Sequence, residues 1–175
     1  MMYFRWLLLA PISLLVNILV MLTSPVWALW AAALKLEKLP GWFALLHTHD
    51  DNIYGANLTK IRMPARFIDR FKTAVWWLCR NPSYGFDAKV LGFKHVALVI
   101  LSDSNPKATF DRRASVSRKI IMRAANGRKY FTYRADIILP LGFWAKIFIG
   151  WNHNSVDGQT HMIKIMFNPF RRLPK

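Results

Sequence analysis

The residues best suited to chemistry lie together from Leu46 to Gly55, LHTHDDNIYG. His47 and His49 alternate around Thr48, and Asp50 and Asp51 follow at once. On an extended strand alternate residues point the same way, so two imidazoles can reach one ion. Histidines so spaced, followed by aspartate, suit metal-dependent phosphoesterases and amidohydrolases. His47, His49 and Asp50 are therefore the candidate metal ligands. Such sites draw further ligands from other strand ends, and the chain adds only His95, His153 and His161, with nine acids in all. The competing reading is a polar turn, in which Asp50, Asp51 and Asn52 accept bonds from nearby backbone N–H groups. The turn is the expectation. His153, Asp157 and His161 flank a second polar loop, but no nucleophile elbow or oxyanion glycine accompanies them. Cys79 is the single cysteine, so no internal disulfide forms, and no partner base is visible for a catalytic thiol. No catalytic residue and no cofactor are expected.

The elements that would position these groups begin with a long apolar leader. From Trp6 to Leu34 there are 29 residues without a charge. A helix needs about 20 apolar residues to cross a hydrocarbon core of about 30 Å. The run is longer than a secretory h-region, and a soluble domain of this size would struggle to cover it on every side. Pro25 removes a backbone donor and disfavours a helical residue before it. The expectation is a spanning helix from about Trp6 to Thr23 and an interfacial piece from Val26 to Leu36, with Trp27, Trp30 and Trp42 at headgroup level. Only Arg5 precedes the run, whereas 24 Lys and Arg against 9 Asp and Glu follow it. Basic flanks stay in the cytoplasm, so the reading is single-pass, N-terminus out. Residues 1–38 form the anchor and 39–175 a basic cytoplasmic domain.

That second part reads as α+β. Met63-Pro64 opens a helix over Ala65–Cys79, with Phe67, Phe71, Ala74 or Val75, and Leu78 on one stripe. Lys94–Leu101 is a continuous apolar run suited to a strand. Val116–Ala124 and Arg128–Leu139 flank Asn126-Gly127, a strong hairpin signal whose two central positions both call for positive φ. Phe143–Trp151 and Thr160–Phe167 follow. The expected result is an antiparallel meander of four or five strands with the amphipathic helix packed on it.

Charge is the firmest functional clue. Nine basic residues fall between Lys107 and Arg134. Arg112, Arg113, Arg118, Lys119, Arg128 and Lys129 from this cluster, with Arg62, Arg66, Arg70 and Lys72 near the amphipathic helix, are the candidate contacts to anionic lipid or phosphate. Nucleic acid would also meet such a surface, but no helix-turn-helix, RNA-recognition motif or zinc knuckle supports it. A tethered domain already has lipid headgroups at hand.

One further stretch carries a resemblance. Arg80-Asn81-Pro82-Ser83-Tyr84-Gly85-Phe86, together with WFALLHTHDDNIYG, the Gly-Trp strand FIGWN and the terminal MFNPFR, resembles a family of small membrane-anchored proteins encoded by tailed bacteriophages. Arg80, Asn81, Pro82, Tyr84, Gly85 and Phe86 carry its most specific segment. The resemblance implies phage origin and residence in the host's inner membrane. It carries no activity to transfer. The resulting expectation is a non-enzymatic envelope protein that engages lipid or a host or phage membrane protein, as in superinfection exclusion or takeover of membrane processes. A metal-dependent phosphoesterase acting on lipid or nucleotide phosphates and a virion accessory for genome delivery are the alternatives.

Overall fold

The computed structural model describes residues 1–48, 51–55, 63–94, 98–111, 113–152 and 160–172. Helix α1, Met2–Ala33, is unbroken. Pro25 leaves the Met21 carbonyl without its usual N–H donor, and the neighbouring side chain replaces that donor. Ser24 Oγ donates to the Met21 carbonyl at 2.8 Å. Thr23 Oγ1 donates to the Leu19 carbonyl at 2.6 Å and accepts from Trp27 Nε1 at 2.8 Å. Side-chain hydroxyls commonly repair the backbone around a proline in apolar helices. The expected break at Pro25 is therefore absent: one helix about 48 Å long at 1.5 Å per residue takes in the 6–23 piece and the 26–36 piece as far as Ala33.

The two sides of α1 differ. Ala10, Ser13, Val20, Ser24, Ala28 and Ala31 are buried. Phe4, Leu8, Ile12, Leu15, Leu19 and Leu22 are exposed. Both sets recur at spacings of three and four, so each holds one face along the helix.

Helix α2, Phe67–Arg80, runs antiparallel along the second half of α1. Near its start Arg70 Nε meets the Ala32 carbonyl at 3.1 Å, and near its end Cys79 Sγ lies 3.2 Å from Ser24 Oγ. Ala74 and Leu78 pack with Val20, Ala28 and Ala31, where small side chains let the helices approach closely. The amphipathic helix thus takes α1 as its apolar partner, in the place the sequence reading gave to the sheet. A short helix without a sequence signal, α3 over Tyr84–Lys89, meets α1 near its middle and the last strand of the sheet, Thr160–Arg172.

Among the described residues the sheet has five long strands and one of two residues: β1 Phe93–Lys94, β2 Leu98–Asp103, β3 Val116–Ala124, β4 Lys129–Leu139, β5 Phe143–Asn152 and β6 Thr160–Arg172. All pairs are antiparallel, in the order β1-β6-β5-β4-β3-β2. The run read as a single strand, Lys94–Leu101, therefore supplies both ends of that order. In a flat sheet five steps of about 4.8 Å would hold those ends about 24 Å apart. The four residue steps from Lys94 to Leu98 reach at most about 15 Å. The sheet must coil until its edges approach. Ring packing agrees: Phe93 of β1 stacks on Tyr130 of β4 at 3.9 Å between centroids, although β6 and β5 lie between them in the order.

The β3–β4 hairpin turns at Asn126-Gly127, but only Gly127 has positive φ, at 78°. Gly127 N donates to the Ala124 carbonyl at 2.9 Å, which makes an ordinary turn followed by a left-handed glycine rather than the mirror-image turn expected. The first turns of α1 pack beside this hairpin. Met2, Trp6 and Leu9 rest on a cluster of Ala124, Tyr130, Phe131 and Trp151. Helix α1 thus enters both hydrophobic clusters found among the described residues.

Candidate functional site

The histidine-rich loop is a structural joint where it is described. His47 is 1% exposed. Its Nδ1 lies 2.7 Å from the Thr48 carbonyl, and its Nε2 accepts from Leu39 N at 3.4 Å. That pairing fixes the proton on Nδ1 and commits both nitrogens to backbone. Burial holds the imidazole's pKa down at about 4, opposed in part by the Thr48 carbonyl. His47 is therefore neutral and inward-facing, which corrects its reading as a metal ligand. His49 and Asp50 lie outside the described residues. Among the described residues no group of three or more His, Cys, Asp or Glu gathers to hold a metal ion. The turn reading holds at Asn52, whose Oδ1 accepts from Tyr54 N at 2.9 Å. Tyr54 in turn donates its hydroxyl to the Ala31 carbonyl, and Trp77 Nε1 donates to Thr48 Oγ1 at 3.1 Å.

The basic residues divide into committed and exposed groups. Arg70 is buried, and its Nη1 donates to the carbonyls of Pro64 and Ala65 while Nε donates to Ala32. Ala32 is in the last turn of α1, where carbonyls lack helical partners and a cation is favoured. Arg118 grips Asp103 through Nε and Nη2. The guanidinium's hydrogen bond holds the Asp103 carboxyl below its ordinary pKa. Arg70 is thus an internal tie, turned away from any lipid surface, and Arg118, partly exposed, has its guanidinium engaged by Asp103. Arg134, half-buried, pairs with fully buried Asp136 at 3.1 Å beneath the Phe110 ring. Arg66, Lys72, Lys119, Arg128 and Lys129 are exposed, as is Arg113, which pairs loosely with Asp111 at 3.6 Å. Arg62 and Arg112 lie outside the described residues.

Two recesses at the start of α1 adjoin Lys119, Arg128 and Lys129. An apolar cleft of about 470 Å³ lies between α1 and the sheet, with Tyr3 and Leu7 above Phe131, Tyr133 and Ile149, and Lys119 at one side. A wider recess of about 1000 Å³ continues past Tyr3 and Phe4 to Arg5, Arg128 and Lys129. Elsewhere, at the junction of α1 and α3, Asp87 is buried with Oδ2 accepting from Asn17 Nδ2 at 3.4 Å and with Oδ1 unpartnered. Burial raises its pKa to about 6, against the lowering effects of the Ser13 hydrogen bond, Lys164 and Asn17.

The segment from Arg80 to Phe86 locks α2, α3 and the 3₁₀ turn Gly41–Leu46 together. The Arg80 guanidinium lies over Trp76 and Trp77, at 4.9 and 5.3 Å from their centroids. Asn81 N closes α2 on the Trp77 carbonyl, and Gly85 N donates to the His47 carbonyl at 2.8 Å. A Cβ on Gly85 would stand 2.9 Å from that carbonyl and 3.0 Å from the Ala44 carbonyl, so the approach requires glycine. One family model matches residues 1–175. The chain belongs to the family of unknown function DUF7338. The DUF7338 match runs through α1 as well as the part after it, whereas the sequence resemblance rested on residues beyond the leader. Curated proteins and solved structures gave no match. The two features of this DUF7338 chain that sequence reading missed are the cleft and Asp87. The cleft depends on a helix and three strands meeting. Asp87 had a weak signal, since Ser13 and Asn17 are polar residues one turn apart in a helix that is otherwise nearly all apolar.

Proposed function

We propose that the chain is a membrane-resident, non-catalytic protein that lies in one leaflet on the bare side of α1 and meets anionic lipid or a membrane partner with its exposed cations. One observation carries this. Helix α1 is long and apolar enough to cross a membrane, yet one side is packed from end to end and the other is bare and apolar. The packed side rests on the sheet at Trp6, on α3 at Asn17 and on α2 from Val20 to Ala32. A single crossing with these contacts kept would carry Asp69 and Lys72 of α2 and the Asp87 group into hydrocarbon, at a cost of several kcal/mol for each isolated charge. It would also tilt the 29-residue apolar run by roughly 45°, beyond the usual range of about 0–40°. A helix lying in the interface avoids both costs. It buries its apolar side and leaves the charged elements in water. Trp27, Trp30 and Phe43 cluster at the far end of α1, with Trp42 83% exposed beside them, which suits the headgroup boundary.

The charge balance that favours a cytoplasmic location applies equally to an in-plane helix, so the leaflet is the cytoplasmic one. The phage-like motif supports a setting in the host's inner membrane, with exclusion of a second phage or takeover of membrane processes as the biological role. The test is side-specific labelling of the full chain in a Cys79→Ser background. Glu37→Cys reports the end of α1, and Arg128→Cys reports the hairpin beside its start. An impermeant maleimide should label both from the cytoplasmic side only. Labelling from opposite sides would establish a crossing and refute the in-plane placement.

A further inference from the structure

We propose that the cleft beneath the first turns of α1 binds one anionic phospholipid, with an acyl chain in the apolar trench and the phosphate held by Lys119 and Lys129. The inference rests on the membrane placement above and adds a defined ligand site to it. The floor of the trench is a row of residues in register: Lys119 of β3 faces Tyr133 of β4, which faces Ile149 of β5. Phe131 lies two residues from Tyr133 on the same face. The roof is α1. The volume, about 470 Å³, falls within the usual range of about 300–1,000 Å³ for small-ligand sites.

Charge and location choose the occupant. Arg5, Lys119, Arg128 and Lys129 border the two recesses, and no Asp or Glu does among the described residues. Arg123 pairs across from Lys129 and adds a further cation on that face. Lys119 Nζ sits 5.2 Å from the Tyr3 ring centroid, which anchors the ammonium at the trench wall. A second copy of the chain would bring the same cations to this place, in a molecule of net charge +16, so self-association is disfavoured. Phe4 and Leu7 line the cleft and are also 64% and 61% exposed on the bare side of α1. The trench therefore opens onto the surface placed in lipid, where an acyl chain can enter without crossing water.

The experiment is native mass spectrometry of the delipidated full chain in nonionic detergent, titrated with phosphatidylglycerol or with phosphatidylcholine of the same acyl chains. One phosphatidylglycerol should bind per chain, at least tenfold more tightly than phosphatidylcholine. Lys119→Glu with Lys129→Glu should weaken phosphatidylglycerol at least tenfold. Ile149→Trp, which fills the floor, should displace both lipids. Arg113→Glu, with a side chain 88% exposed and outside the cleft, makes the same charge change as one of those substitutions and should bind as wild type. Equal affinity for the two lipids, full binding by the double variant, or an equal loss in Arg113→Glu would overturn the site. Flotation with vesicles of phosphatidylglycerol and phosphatidylcholine separates the two proposals. A chain that floats but holds no stoichiometric phosphatidylglycerol refutes the cleft alone. A chain that stays at the bottom yet holds one refutes the membrane placement alone.

Discussion

Asp87→Asn should stabilise the protein at neutral pH and uncover a slope that the native chain hides. The Asp87 carboxyl has its pKa raised from 3.8 to about 6, chiefly by burial. The folded state therefore holds the proton more tightly than the unfolded state. Its contribution to stability is greatest below pH 3.8 and is lost as pH rises through 6. At about 1.4 kcal/mol per unit the loss is roughly 3 kcal/mol at pH 8. His47 acts in the opposite sense. Its pKa falls from 6.5 to about 4, so its contribution is full above pH 6.5 and is lost as pH falls through 4, again by roughly 3 kcal/mol. Between pH 4 and 6 the two slopes oppose each other, and these groups together leave the native chain nearly level. The amide that takes the carboxyl's place keeps an acceptor for Asn17 and offers a donor to Ser13, without a charge to desolvate. Thermal unfolding of the full chain in nonionic detergent, followed by tryptophan fluorescence from pH 4 to 8, measures both effects. The variant should melt higher than wild type at pH 8, by several degrees for up to about 3 kcal/mol in a chain of this size. It should then lose stability steadily from pH 6.5 down to 4. A variant that melts lower at pH 8, or that stays level on acidification, would refute the account of this buried pair.

Two further substitutions probe the framework. Ser24→Ala should leave the Met21 carbonyl without a donor beside Pro25 and cost about 1 kcal/mol, read as a lower melting temperature, while Ser24→Thr retains the hydroxyl and most of the stability. Gly85→Ala should force a methyl group against the His47 and Ala44 carbonyls, costing about 1–3 kcal/mol and exposing Trp77 of the adjoining helix to a fluorescence quencher.

The parts of this fold that sequence revealed were those set by local period. The apolar leader, the amphipathic helix and strands β3 to β6 follow from repeats of 3.6 or 2 that neighbouring residues alone determine. The misreadings came where a distant or side-chain partner decided the outcome. Pro25 looks like a break until Ser24 Oγ is seen to replace the missing donor. The 94–101 run looks like one strand until its two ends pair with β6 and β3. Among the site residues, exposure separated alike side chains. Arg70 and Arg118 share their type with Arg66 and Arg128, yet Arg70 turns inward onto backbone carbonyls and Arg118, partly exposed, is held by the Asp103 carboxylate. His47 looked like a ligand because the pattern around it is local, whereas the Leu39 and Thr48 backbone that occupies its ring is fixed by tertiary packing.

The sharing of α1 by both hydrophobic clusters has a consequence for how the molecule is made. A ribosome releases this helix before anything that packs on it. At about 5–20 residues per second, the last strand follows on the order of ten seconds later. Helix α2 covers Ala28 and Ala31 early in that interval, but the Trp6 end of α1 waits for the sheet, and in the membrane placement proposed above the bilayer surface is its nearest shelter. In that placement, the later segments would condense onto a helix already seated, so that lipid would serve as the template on which the remainder of the polypeptide takes shape.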